Sequence, residues 1–169
     1  MTEFLDDSLK EKLALRLEKE ISNQMDEVIR KVRQISKKFS IASKDKKSPF
    51  RNVLAVATDS TSSIEVIKNY IRYQVGRNGS SPIWTTPKDK EVFAAALVED
   101  LNNLIQDAQE ILQRLRKDIY KGNVLEPYIE DKQNQERLKK DIHLKLAQLY
   151  LGYLAREHTA LVGESNLNK

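Results

Sequence analysis

Apolar residues recur along three long stretches of the chain at intervals of three or four, which is the period of an α-helix and not of a β-strand. The first stretch runs from Leu9 to Phe39, the second from Phe93 to Ile119, and the third from Leu138 to Leu161. The first would form a helix of roughly 35 residues, about 50 Å long at 1.5 Å per residue. Because its apolar stripe is narrow, we expect it to pack against a partner helix of the same chain or of another.

Charged and capping residues mark the two ends of this first helix. Thr2, Asp6 and Asp7 place a possible cap and negative charge at its start, and Lys37 and Lys38 place positive charge at its end. This arrangement suits the helix dipole, which favours anions at the first turn and cations at the last. The charge pattern therefore supports the helix that the apolar period predicts.

Between the long stretches, local signals predict two short helices. The dipeptide Ser48-Pro49 combines a capping hydroxyl with a residue that is tolerated at the first helical position. Ser62 with Glu65 three residues later reads as a capping box for the next helix, and Gly76 suits a left-handed stop at its end.

The same kinds of signal bound the other two long helices. Thr86-Pro87 repeats the cap-plus-proline start ahead of the second long helix, and Lys121-Gly122 is a suitable end for it. Gly163 is expected to close the last helix.

The predicted fold class is all-α, an elongated helical bundle of about five helices, three long and two short, with no strand. A length of 169 residues suits one domain over 1–169. We expect exposed loops at 42–48 and 77–86 and a frayed tail at 164–169. The only tryptophan, Trp84, lies in the second loop, where it either packs as a hydrophobic plug over the helix ends or serves as a base-stacking platform.

Composition excludes several classes of protein. The chain has no cysteine, which rules out a disulfide scaffold and thiolate metal sites. Its first residues are acidic and lack the pattern of a signal peptide, and no apolar run approaches the ~20 residues that span a bilayer. We therefore expect a soluble, cytoplasmic protein without membrane contact.

Positive charge is concentrated in one part of the chain. Between Arg30 and Asn52 there are nine Lys or Arg residues and one Asp, whereas the whole chain has a net charge of +4. Such a local field favours polyanions. Downstream, basic, amide and aromatic residues alternate, a mixture that suits phosphates and stacked bases. The predicted nucleic-acid-binding residues are Arg33, Lys37, Lys38, Lys44, Lys46, Lys47, Arg51, Lys68, Arg72, Tyr73 and Arg77.

Catalytic and metal-binding patterns are weak. His143 and His158 are 15 residues apart and neither has a partner at zinc-site spacing. Asp107 and Glu110, one turn apart, could help hold Mg²⁺, but no matching pair stands on another predicted helix, so we interpret them as a solvated face. There is no cysteine nucleophile and no glycine-rich phosphate loop. We therefore predict no catalytic residue, no metal and no cofactor.

One segment has an enzymatic resemblance. The spacing of Arg137 and His143 resembles the Arg-x(4–6)-His motif of the HEPN family, helical domains of which many members cleave RNA. Leu138 replaces the polar residue that commonly follows the arginine. A step of six residues also turns about 240° around a helix, so the two side chains lie on different sides of it. A HEPN-like RNase is therefore the least favoured alternative.

A second resemblance concerns the architecture of the chain. The segment Phe50-Arg51-Asn52-Val53-Leu54 and the basic face 68–73 resemble parts of the small helical subunits of type III CRISPR effector complexes. Those subunits stack along a guide–target duplex and contact its backbone. The resemblance implies self-association, contacts with other protein subunits and a role in antiviral defence.

These observations favour a non-catalytic, sequence-independent nucleic-acid-binding subunit of a ribonucleoprotein assembly, with RNA as the preferred partner. The main alternative is a helical protein–protein adaptor whose lysines serve only solubility, since a run of charges is usually a solvated surface.

Overall fold

The computed structural model describes residues 5–169 and confirms the all-α helical bundle. Within this range there are six α-helices, joined by short turns and one small β-hairpin. The helices are α1 (Asp7–Phe39), α2 (Arg51–Thr58), α3 (Ile64–Gly76), α4 (Phe93–Asp118), α5 (Glu126–Glu130) and α6 (Lys132–Leu167). None of the helices described between residues 5 and 169 is long and apolar enough to cross a membrane.

The start of α1 is capped by an acidic side chain. The carboxylate of Asp6 accepts a hydrogen bond from the main-chain N–H of Leu9 at 2.8 Å. This satisfies one of the donors that every helix start leaves without an intrahelical partner. Thr2, the other predicted capping residue, lies outside the described residues. Lys37 and Lys38 occupy the last turn, as the charge pattern predicts.

The ends of α3 differ from the prediction by small shifts. Its cap is Ser63 and not Ser62, because the Ser63 hydroxyl accepts the Val66 N–H at 3.2 Å from an extended backbone that suits a cap. Gly76 ends the helix, but the left-handed residue is Gly79, at a φ of 79°. The chain therefore leaves α3 in extended conformation and turns three residues later.

A β-hairpin replaces the predicted start of α4 at Thr86-Pro87. Pro87–Lys88 pairs antiparallel with Glu91–Val92. The two residues between the strands, Asp89 and Lys90, have φ values of 52° and 66°. Two consecutive positive φ values are those of a type I′ turn, the turn whose twist matches a two-residue hairpin. The predictions of a strand-free chain and of a helix starting at Pro87 are therefore wrong.

The C-terminal third also contains more helix than predicted. Pro127 lies in the first turn of α5, a short helix that we did not predict, where its missing N–H has little cost. α6 does not close at Gly163 but continues to Leu167, so most of the predicted frayed tail 164–169 is helical. One glycine inside a helix weakens it by only about 1 kcal/mol and does not end it.

The chain divides into two compact units. The first unit consists of the residues up to Asp26 together with Leu104–Leu146, and the second of Glu27–Asn103 together with Ala147–Lys169. We predicted one domain over 1–169. The division falls within α1, α4 and α6 and not at a linker, so each of these helices contributes residues to both units.

The core of the second unit is an aromatic cluster. Trp84 is only 2 % exposed and packs edge-on against Phe50, with ring centroids 5.9 Å apart, and at a tilt against Phe93 at the same distance. Phe39 in turn packs edge-on against Phe93 at 5.4 Å. Of the two interpretations of Trp84, the buried plug is correct. The predicted exposed loop 77–86 therefore contains two core residues, Trp84 and the fully buried Ile83.

Candidate nucleic-acid interface

The second unit contains a groove of about 500 Å³ beside the end of α1. One wall carries Arg33 and Lys37, which are four residues apart on α1 and therefore lie on one side of it. The short 3₁₀ turn Ile41–Ser43 forms a second part of the lining, and Glu157 and Leu161 of α6 form a third. The groove thus joins two of the predicted binding residues to a part of α6 that the sequence did not implicate.

The turn at the end of α1 shapes this groove. Ser40 has a left-handed backbone with φ 47° and ψ 53°, which ends the helix after Phe39 and reverses the chain. Ile41 follows with a fully buried side chain, and the Ser43 N–H donates to the Ser40 carbonyl at 3.0 Å. The turn is therefore held by the buried Ile41 side chain and by a hydrogen bond within its own backbone.

The lysine loop, which we define as residues 44–47, continues directly from the groove. The side chains of Lys44, Lys46 and Lys47 are exposed, whereas Asp45 is half-buried. The Asp45 carboxylate accepts the Lys47 main-chain N–H at 3.1 Å, and the Asp45 carbonyl oxygen lies 2.7 Å from Nε2 of His158. Because a carbonyl can only accept, the histidine carries the proton on Nε2. The predicted exposed loop 42–48 thus exposes its three lysines but is held at Asp45 by His158.

His158 connects the loop to α2 as well as to α6. It is 1 % exposed, and its ring packs edge-on against Phe50 with centroids 5.7 Å apart. Arg51, the first residue of α2, follows Phe50 directly and is exposed. We call six cations the groove cluster. They are the two that line the groove, the three of the loop that follows it, and the residue after Phe50: Arg33, Lys37, Lys44, Lys46, Lys47 and Arg51.

The six cations of the groove cluster have no acidic partner among residues 5–169. Within the described part of the chain, none of them forms an ion pair, and all six side chains are exposed. A cation that is not neutralised by its own protein keeps its full attraction for an external anion. The groove cluster therefore gives the second unit a source of positive potential.

Lys38 does not belong to the groove cluster. Its Nζ atom lies 3.3 Å from the Glu91 carboxylate and 5.3 Å from the centre of the Phe39 ring. It lines a different, smaller cavity of about 190 Å³ that also includes Lys31 and Asp100. Its charge is already partly satisfied by the protein.

The remaining four predicted residues lie on α3 and at its end, and none of them lines the groove. Lys68 pairs with Glu65 at 3.0 Å, and Arg77 donates to the Gln74 side chain at 3.2 Å. Arg72 and Tyr73 are exposed, Tyr73 by 56 % of its surface, as we expected. The eleven predicted residues therefore comprise the six of the groove cluster, Lys38 with its partner Glu91, and four residues on α3 or at its end.

A half-buried carboxyl group that the sequence did not indicate, that of Asp100, lies in the small cavity beside Lys38. The hydroxyl of the fully buried Tyr150 donates to Asp100 at 2.5 Å. Burial raises the pKa of Asp100, while the tyrosine hydroxyl, Lys31 and Lys38 oppose that rise. Burial, followed by the charge of Asp100 and the hydrogen bond to it, raises the pKa of Tyr150 well above its ordinary value. The only signal in the sequence was a tyrosine within an apolar stripe, which needs a partner for its hydroxyl.

The two carboxylates considered for Mg²⁺, Asp107 and Glu110, lie in the first unit and accept hydrogen bonds there. Asp107 is buried and accepts from the Gln24 amide at 2.7 Å, while Glu110 is exposed and accepts from the same amide at 3.2 Å. The Gln24 carbonyl accepts from Arg114, which also pairs with the buried Glu20 at 2.9 Å. The interpretation of a solvated face is therefore wrong for Asp107. It belongs to a polar network that connects α1 with α4.

The other catalytic candidates lie on α6. Arg137 is exposed and His143 half-buried on this one continuous helix, and His158 is already bound to the lysine loop. Between residues 5 and 169 no group of three His, Asp or Glu side chains is arranged to hold a metal ion. Among the described residues, we therefore take the groove cluster as the candidate site. Comparison with known protein families, with curated proteins and with solved structures finds no match for the chain.

Proposed function

We propose that this protein is a non-catalytic nucleic-acid-binding subunit that contacts the phosphate backbone through the groove cluster. The observation that carries the proposal is that two exposed cations line one groove and three more lie on the anchored loop that continues from it. Within residues 5–169 none of them has an ion-pair partner. Nucleic acids present a dense line of negative charge, and each phosphate that is neutralised releases counterions. When several neighbouring cations each neutralise one phosphate, each of these contacts adds its own counterion release to the affinity.

The anchored loop supports the proposal on energetic grounds. Ordering a flexible segment on binding reduces the net affinity, because its conformational entropy is lost at that moment. His158 already holds the centre of the lysine loop through Asp45, so part of that ordering precedes binding. Long lysine side chains remain free to adjust to phosphates, as sequence-independent binding requires, since phosphate contacts carry no base information.

The preference for RNA and the membership of a larger assembly extend this proposal, and they follow from the resemblance to the small subunits of type III CRISPR effector complexes. Such a subunit binds side by side with other copies along a duplex. Sedimentation of the protein with an RNA duplex of several turns tests this extension, with several copies per duplex as the expected result. A single copy at saturation would contradict the assembly while leaving backbone binding intact.

The direct test of binding is a titration of labelled single-stranded RNA at several salt concentrations. The logarithm of affinity should fall linearly with the logarithm of salt, by about 0.7 for each phosphate contact on a single strand. No binding at low salt, or a response that does not depend on salt, would instead assign the chain to the protein–protein adaptors. The RNA recovered from each titration should keep its full length.

The same recovered RNA tests the HEPN-like alternative. We expect neither the wild-type protein nor His143→Ala to shorten it. Cleavage by the wild-type protein in the presence of a chelator, lost in His143→Ala, would overturn the non-catalytic assignment.

A further inference from the structure

We infer that the groove binds one unpaired nucleotide of the bound strand, and that it favours a base with an exocyclic amine over uracil. This inference rests on the proposed function and adds a base preference to it. It is carried by the distribution of charge and hydrogen-bond acceptors around the groove, which differs from one wall to the other.

The size and lining of the groove suit a flat, partly apolar ligand. Its volume of about 500 Å³ lies within the range of roughly 300–1,000 Å³ that is usual for small-ligand sites. Ile41, Ala42 and Leu161 give it apolar surface. Nucleobases stack on apolar and aromatic surfaces irrespective of their sequence, because every base has a π-face. An apolar groove that opens beside unpaired cations is therefore suited to a base whose phosphate stays outside.

The charges are placed for the two ends of a nucleotide. Arg33 and Lys37 lie on the α1 side of the groove, and Glu157 lies on the α6 side. Glu157 forms no ion pair within the described residues, so its carboxylate remains available as an acceptor. A phosphate is attracted to the cations and repelled by the carboxylate, which orients the nucleotide with its base towards α6.

Serine hydroxyls strengthen the accepting character of the lining. Ser36 donates to the Val32 carbonyl at 2.7 Å, Ser43 to the Ser40 carbonyl at 2.8 Å, and Ser165 to the Val162 carbonyl at 3.3 Å. All three serines line the groove. Because the protons of these three hydroxyls are already used, the exposed Ser43 and Ser165 offer a ligand only oxygen lone pairs, whereas Ser36 is 1 % exposed and contributes little. On the α6 side of the groove, where Glu157 and Ser165 lie, the lining therefore favours a ligand that donates.

Base chemistry then determines the preference. Adenine, cytosine and guanine each carry an exocyclic amine that can donate to Glu157. The donor of uracil, N3–H, lies between two carbonyl oxygens that the carboxylate repels, so uracil should bind more weakly. In a duplex the amine is engaged in pairing, so the groove should take only an unpaired base. The preference therefore accompanies single-strand binding and adds one base contact to the phosphate contacts.

The test compares the affinities of 20-nucleotide oligo(A) and oligo(U) for the wild-type protein, Glu157→Gln and Glu164→Gln. Glu164 is an exposed acid of the same helix that does not line the groove, so it controls for the loss of one negative charge. We expect the oligo(A)/oligo(U) affinity ratio to fall roughly tenfold in Glu157→Gln, the scale of one charge-assisted hydrogen bond. In Glu164→Gln the ratio should equal that of the wild type. Because oligo(A) stacks on itself equally in all three titrations, the change in ratio is the informative quantity.

A second variant tests the groove without a change of charge. Leu161→Trp adds a large side chain to the α6 wall and should also reduce the oligo(A)/oligo(U) ratio, while the salt dependence of oligo(U) binding stays the same. Thermal melting of each variant establishes that it is folded. Equal ratios in the wild-type protein and both groove variants, with salt-dependent binding preserved, would overturn the base site but not the backbone site. Failure of the wild-type protein to bind either oligonucleotide would overturn both.

Discussion

The Nε2–H of His158 donates to the main-chain oxygen of Asp45 at 2.7 Å, across a separation of 113 residues in sequence. This contact holds the lysine loop against α6. It also places a buried imidazole against the Phe50 ring at the start of α2. A buried side chain of α6 therefore helps to hold the loop that carries three cations of the groove cluster.

Replacing His158 with alanine should destabilise the protein by about 2–3 kcal/mol, because it removes a buried hydrogen bond and leaves a cavity beside Phe50. It should also free the lysine loop, so trypsin should cleave after Lys44, Lys46 or Lys47 faster than in the wild-type protein. Urea unfolding and timed proteolysis measure the two effects. Thr159→Ala, at the exposed neighbouring position, should change neither. Unchanged cleavage in a destabilised His158→Ala protein would mean that the loop is held by other contacts.

The pair of Asp100 and Tyr150 predicts a pH dependence of stability. Burial raises the pKa of Asp100 in the folded protein, so the folded state holds this proton more tightly than the unfolded state does. The contribution of Asp100 to stability is then complete below its unfolded pKa, near 4, and is lost as the pH rises through the folded pKa. Asp100→Asn keeps an oxygen for the Tyr150 hydroxyl but cannot titrate.

The stability of Asp100→Asn relative to the wild-type protein should therefore increase as the pH rises above about 4. Urea unfolding of both proteins at intervals from pH 4 to 8 measures the difference. Two parallel stability profiles would show that Asp100 titrates alike in the folded and unfolded states.

The polar network of the first unit leads to a prediction about the stability of the protein. Arg114 pairs with Glu20, whose side chain is 4 % exposed, and removal of the arginine leaves that carboxylate buried without its cation. Loss of one partner from a buried pair typically costs about 3–5 kcal/mol. The Arg114 side chain is itself 36 % exposed, so we expect a smaller loss of about 2–3 kcal/mol for Arg114→Met. Lys117→Met, at an exposed position one turn away, should change stability by less than about 0.5 kcal/mol.

Two exposed residues of α3, Arg72 and Tyr73, allow the contributions of charge and of base stacking to be tested separately. Tyr73 is exposed, so Tyr73→Ala should leave the melting temperature almost unchanged. If its ring stacks on a base, the variant should lose ~1–3 kcal/mol of single-strand affinity with no change in the salt dependence. Arg72→Ala should lower the salt dependence by about 0.7, because it removes one phosphate contact. Wild-type RNA binding by both variants would restrict the interface to the groove cluster.

The helical architecture could be predicted from the sequence because it depends on local periodicity. The apolar stripe begins at Leu9, two residues after the start of α1, and ends with it at Phe39. Lys37 and Lys38 lie in the last turn, as predicted. The hairpin could not be found in the same way. Asp89-Lys90 is not one of the glycine-containing dipeptides that predict a type I′ turn. In addition, Thr86-Pro87 has the local chemistry of a helix start.

The candidate site could be predicted only in part, because charge is visible in sequence and tertiary contact is not. Arg33, Lys37 and the lysine loop stood out as a dense run of cations. Nothing local to them indicates that His158 binds the loop or that Glu157 faces the groove. Lys38 has the same local pattern as Lys37, and only the hairpin, which brings Glu91 to it, distinguishes the two.

The most direct measurement compares the salt dependence of RNA binding in two variants with the same change of charge. The first carries Lys44→Ala, Lys46→Ala and Lys47→Ala, and the second carries Lys19→Ala, Lys132→Ala and Lys140→Ala, three exposed lysines of the first unit. Loss of three single-strand contacts should lower the slope of log affinity against log salt by roughly 2 in the loop variant and leave it unchanged in the control. Equal slopes in the two variants would contradict a backbone interface at the groove cluster.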